Sequence, residues 1–181
     1  MAKLIEKVYG EALFELAVEE GRTTELMEEI KLVKQVLSEN PELAKMMQHP
    51  GIPVKEKEQV IEQIWGGKIS REVSGLMVLL LKKEHYGKLP QVLDYFLEKV
   101  REKERIGIAY VQTAVALSDA QREKVEKRLL ETTSYRTFEM YFDVEPELIG
   151  GMIIRIGDRV VDSSIKTRLE NLSRQLYQIK L

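Results

Sequence analysis

The sequence predicts a mainly α protein that finishes in α+β: a six-helix bundle over residues 1–105, then a small α+β domain over residues 106–181. Three observations predict it. Apolar residues recur at three-and-four spacing from Leu4 to about Glu104, the mark of helical faces. The period then falls to two, most cleanly over Thr137 to Val144. Gly107, just after the mixed-sign run Lys99 to Arg105, marks the change.

The first helix spans about Lys3 to Glu20, with Leu4, Ile5, Val8, Tyr9, Ala12, Leu13, Leu16 and Ala17 on its apolar side. Gly21 stops it. A second runs from about Thr24 to Ser38, with Leu26, Met27, Ile30, Val33 and Leu37 as its stripe. Asn40-Pro41 opens a short third helix to about Gln48. Pro53 opens a fourth, ended by Gly66-Gly67. Ser70 caps a fifth, expected over Arg71 to Tyr86; its centre, Leu76 to Leu81, is apolar nearly all round and so belongs deep in the bundle. The sixth runs from about Pro90 to Glu104, with Val92, Leu93, Phe96, Leu97 and Val100 on one side.

Beyond Gly107 the expected order is strand, helix, strand, strand, strand, helix. The first strand is expected over Ile108 to Leu117. Ser118 and Gln121 have capping-box spacing and open a helix carrying Val125, Leu129 and Leu130. In the next strand Phe138, Met140, Phe142 and Val144 face one way, and Glu139, Tyr141 and Asp143 the other. Met152 to Ile156 and Arg159 to Asp162 flank Gly157-Asp158, a hairpin signal. Ser163-Ser164 caps a last helix with Ile165, Leu169, Leu172 and Leu176 in line.

Composition narrows the function. The chain has 28 Lys plus Arg against 30 Asp plus Glu, a formal net charge of −2, which argues against a nucleic-acid binder. It has no cysteine, which excludes disulfides, thiolate zinc sites and cysteine nucleophiles. Its longest apolar run, Leu76 to Leu81, is far short of the ~20 residues a membrane span needs. Met1-Ala2-Lys3-Leu4 lacks the apolar region of a signal peptide, so the expectation is an intracellular protein.

Catalytic and cofactor signals fail in turn. His49 and His85 have no second ligand at helical spacing. Gly66-Gly67-Lys68 lacks the following Ser or Thr and the first glycine of a phosphate loop. Gly150, Gly151 and Gly157 do not have dinucleotide-loop spacing. Asp143, Glu145, Glu147, Asp158 and Asp162 fall at expected strand ends and turns. The expectation is therefore no catalytic residue, no metal and no cofactor. What remains is binding. The first helix has a wide apolar face around Tyr9, Ala12 and Leu13, and the fifth has surplus apolar surface at Met77, Leu80 and Leu81. A groove between them would accept an amphipathic helix. On pattern alone, the simpler reading is that these side chains fill the core.

Three ordered blocks carry a resemblance. Tyr9-Gly10-Glu11-Ala12-Leu13-Phe14-Glu15-Leu16-Ala17 resembles the opening motif of the delta subunit of bacterial F-type ATP synthase, a relative of the mitochondrial oligomycin-sensitivity-conferring protein. Leu89-Pro90-Gln91-Val92-Leu93-Asp94-Tyr95-Phe96 agrees with that family after the central helix. The run from Ile149-Gly150-Gly151 through Gly157-Asp158-Arg159 to Ile165 is similar to its C-terminal signature. Lys83-Glu84-His85 departs from the usual Asn-Gly-Arg type turn, and Gly10 and Ser163 stand where Ala and Gly are common.

The resemblance implies a non-catalytic stator subunit, peripheral on the cytoplasmic face of the cell membrane, that serves ATP synthesis and proton transport. It implies that the N-terminal domain binds N-terminal helical segments of the alpha subunits through Tyr9, Ala12, Leu13, Met77, Leu80 and Leu81. It implies that the C-terminal domain binds the b-type subunits of the peripheral stalk, with Ile153, Arg155, Ile165 and Leu169 as expected contacts. The alternative kept open is a small ligand-binding or enzymatic α+β module, with Gly150 to Asp162 as its loop site.

Overall fold

A computed structural model describes residues 2–178, with side chains from Leu4 to Tyr177. It divides into two compact units, one ending at Lys103 and the other beginning at Glu104. The described residues are mostly helical, with one four-stranded sheet near the C-terminus.

In the first unit the elements are α1 (Ala2–Glu19), α2 (Thr23–Glu39), α3 (Pro41–Gln48), α4 (Val54–Trp65), α5 (Arg71–Lys82) and α6 (Leu89–Glu104). The apolar stripes read from the sequence supply its core. Leu26, Ile30 and Val33 of α2 are buried with Val73, Met77 and Leu80 of α5 and Leu89, Leu93 and Phe96 of α6. Each such side chain contributes about 1.5–3 kcal/mol on leaving water. The chain packs α1 tightly against α6. A Cβ on Gly10 would stand 2.5 Å from the Tyr95 ring, so this position takes no side chain without moving that ring. The Tyr95 hydroxyl donates to Glu11 beside it.

Helix α5 stops at Lys82 rather than continuing to Tyr86. Glu84 adopts φ +59°. The His85 amide then donates to the Leu80 carbonyl at 2.7 Å and the Glu84 amide to Leu81 at 3.1 Å. These two bonds close a Schellman C-cap, with Glu84 in the left-handed position usually held by glycine. A 3-10 turn, Tyr86–Lys88, leads into α6.

The second unit contains β1 (Ile106–Thr113), α7 (Asp119–Thr132), β2 (Thr137–Val144), β3 (Met152–Ile156), β4 (Arg159–Asp162) and α8 (Ile165–Gln178). The strand order is β2-β1-β3-β4. Strands β1 and β2 are parallel and joined through α7, whereas β1–β3 and β3–β4 are antiparallel. Ala109, Phe138 and Leu129 form the buried centre, with Val125, Met140, Ile154 and Ile156 packed on it. Strand β1 ends at Thr113, four residues before the expected Leu117. There the Thr113 hydroxyl donates to the Val115 carbonyl at 2.8 Å and the Glu145 amide reaches the Thr113 carbonyl. Those bonds turn the chain out of the sheet and leave Val115 exposed. At the start of α7, Gln121 accepts from the Ser118 amide at 2.9 Å, as capping-box spacing predicts.

Candidate functional site

Two surfaces carry the residues singled out in the sequence. In the first unit α1 and α5 are neighbours, and Arg22 just after α1 reaches Glu72 of α5 at 3.4 Å. Tyr9 is half-buried and Ala12 is exposed on α1. The expected groove lining on α5 needs correction. Met77 and Leu80 have no exposed surface, and Leu81 and Leu13 have 5% each. These four fill the interior and hold their helices in place; a docking partner has no access to Met77 or Leu80. The reason is that a helix apolar nearly all round carries no sequence signal for which side faces in. Accessible apolar positions include Leu79 on α5 and Leu4, Val8 and Leu16 on α1, which with exposed Ala12 recur every fourth residue; Val18 is exposed as well. Exposed Gly75, one turn before Leu79, leaves open space beside it.

In the second unit the sheet has one face covered and one open. Residues 107, 109, 111 and 113 of β1 are buried, and Tyr110 between them points the other way and is exposed. The register builds a cross-strand row there: Tyr141 pairs with Tyr110, Tyr110 with Arg155, and Arg155 with Val160. The two tyrosine rings stack at 5.1 Å, and the Arg155 guanidinium lies 4.8 Å from the Tyr110 ring centre. This is cation–π geometry, and it presents flat apolar faces beside a positive charge. Gln112 and Ile153 pair in the next row, and the face forms a shallow concavity of about 400 Å³.

Helix α8 is the second feature of this unit. Ile165, Leu169, Leu172 and Leu176 are 42%, 52%, 55% and 68% exposed. Spaced by four, three and four, they form one stripe. The start of the helix is held by several bonds. The Ile165 amide donates to the Gly150 carbonyl at 2.9 Å. Asp162 accepts from the Ser164 amide at 2.8 Å and from the Thr167 hydroxyl at 2.7 Å, and these bonds hold its carboxyl below the usual carboxylate range. Lys166 pairs with Glu147 at 3.1 Å. Gly151 has φ +76°, and a Cβ there would lie 2.3 Å from the Ser163 carbonyl oxygen. The Gly150-Gly151 pair is thus consumed in close packing under the α8 entry, and Gly157 in the β3–β4 turn. No cradle for a phosphate is left in this block.

The structure therefore brings Ile153 and Arg155 onto one open sheet face, and Ile165 and Leu169 onto one open helix face. Sequence reasoning missed Tyr110, Tyr141 and Val160 as their companions, as it missed Leu79 and Gly75 on α5. The alternation of β1 carried a signal for Tyr110; the row joining four strands depends on register and had none. Among the described residues no group of three or more His, Asp or Glu is placed to hold a metal, and no helix is long and apolar enough to cross a membrane. The His49 ring is engaged locally, its Nδ1 accepting from the Gly51 amide. What the arrangement can do chemically is bind other chains through apolar helix and sheet faces.

The ATP synthase delta (OSCP) subunit family matches residues 5–176 of this chain. The chain is 49% identical to ATP synthase subunit delta of Lachnoclostridium phytofermentans over 181 residues, the full length of both. It is 30% identical to ATP synthase subunit delta of Prochlorococcus marinus strain MIT 9301 over 168 residues, 93% of each chain. Among solved structures, a chain of the Toxoplasma gondii mitochondrial ATP synthase hexamer superposes with a TM-score of 0.70 over 95% of this chain and 97% of that one. At 21% identity that likeness speaks to fold alone. The chain belongs to the ATP synthase delta (OSCP) subunit family, whose members are non-catalytic structural subunits of the ATP synthase stator.

Proposed function

We propose that this subunit ties the alpha subunits of the catalytic head to the b-type subunits of the peripheral stalk, on the cytoplasmic face of the membrane. The six helices of the first unit act as one bundle. It takes N-terminal helical segments of the alpha subunits along the line of Leu4, Val8, Ala12 and Leu16 on α1 and Leu79 on α5. Tyr9 flanks that line, while Leu13, Met77, Leu80 and Leu81 support it from beneath. The second unit takes the stalk through the α8 stripe and the row that includes Arg155, with Ile153 beside it.

The observation that carries this reading is the α8 stripe. Four large apolar side chains along one 14-residue helix stand in solvent. An isolated helix of that length is marginal, and an exposed apolar stripe marks a binding surface. The mechanics follow. A rotor turning in the head exerts a reaction torque, and the head must be held for proton flow to drive synthesis. Close-packed interiors transmit strain with little compression. Two binding units on one chain make the attachment bivalent, so each contact raises the effective concentration for the other.

Co-purification with isolated catalytic heads and with the soluble part of the b-type subunits tests this. Leu79→Asp is expected to lose the heads and keep the stalk; Leu172→Asp is expected to lose the stalk and keep the heads. Both variants retaining both partners would overturn the assignment.

A further inference from the structure

One buried lysine in the helical unit has no ion-pair partner among the described residues. Lys57, in the first turn of α4, is 7% exposed. Its ammonium donates to the His49 carbonyl at 2.8 Å, at the C-terminal end of α3, where the helix dipole supplies a fraction of a negative charge. It forms no ion pair among the described residues, and an ammonium carries three donors. The N-terminus of its own helix adds positive potential, since Pro53 before α4 offers no side-chain cap. A buried cation in this state is costly unless an anion joins it.

Lys57 lines a concavity of about 670 Å³. His85 and Lys88 line it as well, and Glu84 is its single lining carboxylate, exposed and not paired with Lys57. The apolar part of the wall comes from Ile5, near the start of α1, and Leu81, near the end of α5. The concavity therefore continues the α1/α5 surface at one end.

We propose that this concavity is a carboxylate socket, in which the Lys57 ammonium pairs with an Asp or Glu side chain of the helical segment docked along α1 and α5. The inference rests on the alpha-subunit docking proposed above. The positive lining calls for an anion. The Ile5 and Leu81 wall suits the aliphatic stem of a peptide side chain better than it suits a fully hydrated free ion. A desolvated charge pair at the end of an apolar seam also fixes register: a helix shifted by one residue leaves both charges unpaired.

The test uses the full chain and a peptide of the alpha-subunit N-terminus from the same enzyme, with each Asp and Glu replaced singly by Asn or Gln. Lys57→Met keeps the volume without the charge, and Lys57→Gln keeps a donor without the charge. Each is expected to weaken peptide binding tenfold or more. One acidic replacement in the peptide is expected to cost as much against the natural chain and nothing further against Lys57→Met. Binding unchanged in both Lys57 variants overturns the socket, and if Leu79→Asp still abolishes it, the docking reading survives alone. Weakening at Lys57 with no coupled peptide carboxylate points to a free anion and overturns the occupant named here. Absence of peptide binding by the natural chain overturns the docking reading and the socket with it.

Discussion

The two units of this chain treat their apolar residues in opposite ways. The first turns them inward: Leu26, Ile30, Met77, Leu80, Leu89, Leu93 and Phe96 are all fully buried. The second has a small centre of Ala109, Leu129 and Phe138, and leaves Val160, Val161 and four large side chains of α8 in solvent. The first unit keeps a dense interior, with exposed apolar positions such as Leu4, Val8, Leu16 and Leu79. The second presents more of its large apolar side chains to solvent. Apolar stripes are largely interior in one unit and largely exposed in the other, although both look alike in sequence.

The difference can be broken at its deepest point first. Leu80→Asp places an unpaired charge at a position with no exposure and is expected to cost the helical unit about 3–5 kcal/mol or more. Loss of helical signal on mild heating would show it; a variant as stable as the natural chain would mean that Leu80 is not interior. Next comes Gly151→Ala, which forces a Cβ against the Ser163 carbonyl at φ +76°. It is expected to cost about 1–3 kcal/mol and to loosen the α8 entry while leaving α1 to α6 intact. Hydrogen exchange resolved by unit reads this, and equal loosening in both units would contradict it.

A smaller effect follows from Asp162. Its folded-state pKa lies below the usual value because the Ser164 amide and Thr167 hydroxyl bond the charged form. A group depressed in the folded state stabilises above its unfolded pKa, about 3.9, and that stability is lost as pH falls through the folded value. Asp162→Asn is therefore expected to be less stable than the natural chain at pH 7, with the gap closing under acid. Urea melts at neutral pH and below pH 3 decide it; a gap that widens in acid would refute the sign. The smallest effect on folding belongs to Leu172→Asp. At 55% exposure it is expected to shift stability by no more than about 0.5 kcal/mol, while stalk binding is lost. A large drop in melting temperature would instead give Leu172 a structural role.

Much of the fold was legible because each element repeats a local period. The stripe of α6, the alternation of β2 and the Gly157-Asp158 turn all appear within a dozen residues. The misplaced ends have local causes that pattern does not encode: a left-handed Glu84 closing α5, and the Thr113 hydroxyl ending β1. The sites were less legible. Tyr9, Ala12, Ile165 and Leu169 lie on amphipathic helices whose stripes are explicit, and they are partly or fully accessible. Met77 and Leu80 were misread because α5 is apolar on too many sides for its inner face to show. Tyr110, Tyr141 and Val160 join Arg155 only through strand register. The isolation of Lys57 is likewise a tertiary fact, since α4 alone does not reveal which carbonyl or carboxylate is near.

The central claim is that this chain works as a passive mechanical hold between head and stalk. ATP synthesis driven by an imposed proton gradient, in vesicles carrying the enzyme stripped of this subunit and then resupplied with it, tests that claim most directly. Stripped enzyme, and enzyme resupplied with Leu172→Asp, should keep ATP hydrolysis in the head but make little ATP, and the natural chain should restore synthesis. Full ATP yield from the stripped enzyme would contradict the account.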